Sequence, residues 1–197
     1  LGIVAANEKA LKIHQNCQMP KLYWDWNTRL EAEHYRKFCG TAPQLMVFGM
    51  REALDMIFEE GLENIYERHR VLAEATHTAV EIWSQAGTMS LNAIEPKERS
   101  TAVTTVLTKD GIDANMIRDV CRDEMMVGLG GGLGSLTGKA FRIGHMGDMN
   151  APMLFAALAS VEATLSYLDV KFAPGGVTAA IEHVAQSKKK GVGPFSY

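Results

Sequence analysis

Among its 197 residues the chain has three cysteines, no excess of positive charge and no apolar run near the roughly 20 residues that span a bilayer. Each shortage excludes something. Cys17, Cys39 and Cys121 are odd in number and form no CxxC pair, so neither a disulfide framework nor a thiolate zinc site is expected, and a reducing compartment fits best. A formal net charge of -3 removes the concentrated positive charge on which binding to nucleic acid or an anionic membrane rests. The basic run 188–190 reads as a solvated tail rather than an address or docking signal. With no membrane-length run and no basic-then-apolar leader, a soluble, cytoplasmic protein is expected, peroxisomal if eukaryotic although no C-terminal address is recognisable.

Motifs for several chemistries are missing too. The six histidines include no HExxH, and His69 and His77 are eight residues apart, so no metal is expected and His69 reads as a hydrogen-bonded core histidine. No GxSxG elbow is present. The stretch GLGGGLGSLTGKA, 128–140, suggests a phosphate loop, but Leu133 and Ala140 stand where that motif needs glycine and a hydroxyl. A strand-like run follows it, whereas a phosphate cradle must feed a helix N-terminus. A flexible turn is the expectation.

What remains is ordinary globular material, 47% hydrophobic and 22% charged, enough for one domain or one and a piece. The chain opens at Leu1 with LGIVAA, a strand-like run without turn residues ahead of it, and reads as the downstream part of a longer chain. NEKALKI reads as a short helix, and Tyr23, Trp24 and Trp26 as core or interface aromatics. From Thr41, a possible cap, and Pro43, a helix is signalled up to Gly61; its apolar residues spread almost all round, which predicts burial on several faces, including against a second subunit. Leu62, Ile65, Tyr66, His69, Leu72, Ala73, Thr76, Ala79, Val80 and Trp83 then recur at helical steps as one core-facing stripe.

TMSLNAI and STAVTTVLT, joined by EPKER, predict two antiparallel strands. Asp113 caps a helix with Met116, Ile117, Val120 and Cys121 inward, and KAFRIGHM reads as a further strand. Asn150 and Pro152 open a helix lined by Leu154, Leu158, Val161, Leu165 and Leu168, and VTAAIEHVAQS forms one more. The order predicts an α+β domain with helices packed on a three- to four-stranded antiparallel sheet.

Two residues stand out. Strand alternation puts Arg142 on one face with Ala140 and Gly144, and Phe141, Ile143 and His145 on the other. Such small neighbours leave room for a small anion, and a guanidinium grips a carboxylate through two parallel donors. Spacing alone favours the other reading, an internal ion pair with a buried Asp or Glu. Thr41 has two readings as well: a helix cap, or with Gly40 a phosphate contact at a helix N-terminus.

Taken together, LGIVAANEKAL, YWDWN, GTAPQLMVFGMREALDMIFEEGLENIYERHR, STAVTTV, VGLGGGLGSLTGKAFRIGHMGDMN and PGGVTAAIEHV resemble the class V pyridoxal-phosphate-dependent aminotransferases. The likeness is to the serine–glyoxylate and alanine–glyoxylate branches, in the C-terminal part of the chain, and runs through nearly all of this sequence. It implies that Arg142, in the RIG motif, binds the substrate α-carboxylate. It implies that Thr41, with Gly40, contacts the phosphate of pyridoxal 5'-phosphate, usually across a homodimer whose active sites lie at the subunit interface. Phe38 stands where several relatives carry a phosphate-contacting tyrosine, so a hydroxyl contact is lost there. By the same resemblance residues 1–40 close the large α/β cofactor domain of a fold-type I enzyme and connect onward, and 41–197 form an interdomain helix and the small C-terminal domain. The catalytic Schiff-base lysine is expected upstream of Leu1. The implied reaction is transamination from a small L-amino acid, serine favoured, to glyoxylate, giving glycine and a 2-oxo acid. Aspartate or alanine as donor, or a silent C-terminal dimerisation fragment, are the alternatives.

Overall fold

The computed structural model describes residues 2–31 and 33–189. The chain forms two compact units, one running to Glu60 and one from Gly61.

The first unit is built of short pieces. Asn7 caps helix α1 (Glu8–Gln15) by accepting from the Ala10 amide at 2.9 Å, as NEKALKI predicts. Asp25 caps the single turn α2 (Trp26–Arg29) and also accepts from His14, whose ring stacks on Trp26 at 4.9 Å. That hydrogen bond holds the Asp25 carboxyl below the usual carboxylate range. Residues 2–6 form no strand, contrary to the expectation for LGIVAA: a β-run becomes a strand only on a partner ladder, and among the described residues none pairs with it. Tyr23 and Trp24 are not core residues either, at 66% and 74% exposure. Helix α3 (Gln44–Glu60) follows the predicted span, but none of its residues is buried, and Leu45, Phe48 and Phe58 are exposed. Its all-round apolar pattern therefore stays largely uncovered among the described residues of the first unit.

The second unit carries the core. Helix α4 (Leu62–Trp83) is buried along its downstream half, from Arg68 through Val71 to Trp83, because the sheet lies on one side and the last helix on another. The upstream members of the stripe, Leu62 and Tyr66, stay exposed. Strands β1 (Met89–Leu91) and β2 (Val103–Thr108) pair antiparallel as read, Leu91 opposite Val106. Asp113 caps α5 (Ala114–Met125) through the Asn115 amide at 2.8 Å; Ile117 and Cys121 turn inward, whereas Met116 is exposed. Strand β4 (Ala140–Gly144) pairs with β2, and a two-residue strand β3 (Gly130–Gly131) pairs with the outer side of β4, giving the antiparallel order β1-β2-β4-β3. The glycine-rich stretch is thus partly an edge strand, not only a turn. Asn150 caps α6 (Ala151–Tyr167), and α7 (Gly176–Lys189) packs along α4.

Thr104, Val106, Phe141 and Ile143 face the helices and are buried with Leu72, Trp83, Leu154, Leu158, Val161 and Leu165. Removal of this apolar surface from water, at about 25 cal/mol per Å2, is the main favourable term for the unit. Where α4, α6 and α7 meet, one carboxylate oxygen of Glu162 accepts from the Trp83 indole at 2.7 Å and the Val177 amide at 3.1 Å.

Candidate functional site

Arg142 sits at the middle of β4, on the sheet face away from the helices. Its cross-strand neighbours are Thr105 on β2 and Gly130 on β3. On that face Ser90, Val103, Thr105, Leu107 and Arg142 are half-buried or exposed, while the neighbours of Arg142 along its own strand are buried. The predicted alternation therefore holds: Phe141, Ile143 and His145 point to the core.

Among the described residues the guanidinium is held by one hydrogen bond, Nε donating to the Gly131 carbonyl at 2.8 Å. No carboxylate among the described residues forms an ion pair with it. Its two terminal nitrogens keep the parallel donors that match a carboxylate. Gly130 leaves the side chain room, since a β-carbon there would stand tightly against it, 3.1 Å from Arg142 Cβ and 3.2 Å from its Nε.

The end of β4 is fixed by two histidines. The buried His145 ring donates from Nδ1 to the Thr101 carbonyl and accepts at Nε2 from the Thr104 hydroxyl, at 3.1 and 2.9 Å. Burial pushes its pKa down to about 4, so the ring is a neutral strut. His77 meets it edge-on at 6.1 Å and is lowered in the same direction, again chiefly by burial. His69, read as a core histidine, donates to the Ile65 carbonyl at 2.8 Å and accepts from the Gly147 amide at 3.0 Å. Beside it the buried Arg68 donates to the carbonyls of Gly147 and Met149, both at 2.8 Å, which ties the turn after β4 to α4.

Phe38, Gly40 and Thr41 belong to the first unit. Phe38 ends a 3-10 turn (His34–Phe38) and is 42% exposed. Cys39 follows in the left-handed region and Gly40 has φ +144°, a conformation that favours glycine. Thr41 is exposed and does not cap α3: the first helical bond runs from the Val47 amide to the Pro43 carbonyl, two residues beyond it. Among the described residues its hydroxyl makes no recorded hydrogen bond, so the capping alternative fails on spacing. Among the described residues no group of histidine, cysteine and acidic side chains is placed to hold a metal, and no helix is long and apolar enough to cross a membrane.

Sequence reasoning gave the alternation of Phe141, Arg142 and Ile143 along β4 but missed β3 and the Arg68 anchor. Glycines carry no strand signal of their own, and an arginine within an apolar stripe is visible only as an interruption.

No family model matches the chain. Among curated proteins it is similar to serine–glyoxylate aminotransferase of Methylorubrum extorquens, 38% identical over 193 residues, covering 95% of this chain and 47% of that one. It is similar also to serine–glyoxylate aminotransferase of Arabidopsis thaliana, 39% identical over 184 residues, covering 91% and 44%. The chain thus spans about half the length of these relatives. Among solved structures it resembles ureidoglycine–glyoxylate aminotransferase from Bacillus subtilis, with TM-score 0.76 and 25% identity over 91% of this chain and 46% of that one. Alanine–glyoxylate aminotransferase from Nostoc sp. superposes with TM-score 0.66 and 29% identity over 81% and 42%.

Proposed function

Because the chain belongs to the class V pyridoxal-phosphate-dependent aminotransferases, whose C-terminal part it matches, we propose that it serves transamination from a small L-amino acid, serine favoured, to glyoxylate. The observation that carries this reading is the Arg142 guanidinium: mounted on a β-strand, anchored through Nε alone, and without an internal carboxylate partner among the described residues.

The residues present fit the cofactor and its substrates at two points. Arg142 offers a planar pair of donors for an α-carboxylate, and Thr41 offers a hydroxyl that no helix amide occupies. Bound pyridoxal phosphate supplies the carbonyl carbon that exchanges with an amine and a ring that accepts electron density. Arg142 grips the carboxylate common to amino donor and glyoxylate, so one contact orients both partners of the reaction. Fixing the acid end leaves the bonds at the α-carbon one allowed direction, an effect of positioning rather than of proton transfer. Thr41, with Gly40 beside it, would hold the cofactor phosphate in the partner subunit's site; at Phe38 the hydroxyl contact is lost. A homodimer follows from that assignment, and the uncovered apolar residues of α3 give it a surface.

Serine is favoured over aspartate because the two relatives described above are named for it and because the Arg142 face carries no second cation among its strand neighbours. The test is to assay L-serine, L-alanine and L-aspartate side by side with glyoxylate, using the complete protein. Glycine formed fastest from serine is the expected result. No glycine from any donor would remove the reading and leave a silent dimerisation segment.

A further inference from the structure

The edge strand beside Arg142 has no counterpart in the roles assigned so far. We infer that β3, through the missing side chain of Gly130 and the carbonyl of Gly131, is the positioning device that sets the reach of the Arg142 guanidinium; the inference rests on Arg142 being the carboxylate-binding residue.

Three observations converge. Gly130 lies directly opposite Arg142 in the β3–β4 ladder, and Gly131 opposite Phe141. The Gly131 carbonyl takes the Nε–H at 2.8 Å, which fixes the plane of the fork while leaving both terminal nitrogens available. A β-carbon at Gly130 would lie 3.1, 3.2 and 3.4 Å from Arg142 Cβ, Nε and Nη2, so a side chain there obliges the arginine to shift by a few tenths of an ångström along its length. Two glycines of the sequence motif therefore act on the same side chain, one by leaving space and one by accepting a proton donor. A hydrogen bond closes the strand on its downstream side, the Gly132 amide donating to the Ala140 carbonyl at 2.9 Å, and a β-carbon at Gly132 would run into the Leu136 carbonyl at 2.0 Å. The glycine run is thus a fitted segment over the length that faces Arg142. Gly128, just upstream, is not fitted: an added β-carbon there meets nothing within 4 Å.

The test uses the complete enzyme and propionate, a carboxylate without an amine, as competitive inhibitor, so that the reading isolates the acid-end contact. Gly130→Ala is expected to raise the L-serine KM and the propionate Ki together by about tenfold, the scale of one charge-assisted hydrogen bond. The melting temperature should be retained, and Gly128→Ala should move neither constant. A folded Gly130→Ala enzyme with an unchanged propionate Ki overturns the inference. Independently of activity, the Arg142 Nε–H resonance of the wild-type protein, assigned by its loss in Arg142→Lys, should exchange with solvent more slowly than exposed arginines. Exchange as fast as theirs overturns the inference even where Gly130→Ala does not fold. Arg142→Ala separates the two levels. Retained propionate binding in that variant removes the underlying reading, whereas its loss there with full binding in Gly130→Ala removes only the role of β3.

Discussion

A charged side chain on a sheet face is costly unless something uses it, and among the described residues Arg142 gains one carbonyl contact. Truncation to alanine removes a charge-assisted pair worth about 1.5–3 kcal/mol, so kcat/KM for L-serine with glyoxylate should fall on the order of 10- to 100-fold. Steady-state kinetics on the variant checks this, and a loss shared by donor and acceptor is the signature of a contact to their common carboxylate. His145 makes a different prediction. Its folded-state pKa, about 4, lies below the ordinary value of 6.5, so between those two pH values the unfolded chain binds more protons. Stability from this group is complete above pH 6.5 and is lost as pH falls toward 4, a contribution of about 3 kcal/mol for one histidine. Denaturation midpoints between pH 4 and 7 should decline with acid, less steeply in His145→Gln.

At the scale of elements, helices were the most legible part. Asp113 and Asn150 were recognisable as caps, and both accept the expected amide bonds. Removing either, as Asp113→Ala or Asn150→Ala, should cost about 1 kcal/mol, measurable by denaturant unfolding. Strand alternation likewise told which way Phe141, Ile143 and Arg142 point, because a period of two follows from backbone geometry alone. Less was legible where the outcome depends on distant partners. LGIVAA has the composition of a strand but no ladder, and β3 has the ladder but no strand-like composition. Met116 and Tyr66 share the spacing of buried residues, yet Met116 is exposed between the buried Ala114 and Ile117, and Tyr66 lies upstream of the first buried residue of α4, Arg68. Whether Arg142 would be paired internally was not settled by spacing, since the partner of a charge is set by tertiary neighbours. Close packing yields one more prediction. A β-carbon on Gly176 would stand 2.2 Å from the Trp83 indole nitrogen and 2.9 Å from the Ala79 carbonyl. Gly176→Ala should therefore lower stability by about 1–3 kcal/mol, seen as an earlier thermal transition by circular dichroism.

Across the whole molecule, cover is distributed unevenly. The unit from Gly61 owns a continuous core, while the unit running to Glu60 leaves Leu45, Phe48, Phe58 and Trp24 in contact with solvent. Apolar surface of that extent is stabilised by a partner chain or by further polypeptide. On the proposed homodimer, light scattering of the complete protein should give twice the monomer mass, and Phe48→Glu should lower it. Trp83 adds a practical consequence. It is the one tryptophan of the core-bearing unit; Trp24 and Trp26 lie in the other. Sealed from solvent, with its indole N–H on Glu162, it should emit at shorter wavelength than Trp24 and give each half of the chain its own optical readout. Fluorescence recorded during denaturation can then tell whether the halves melt together or in turn.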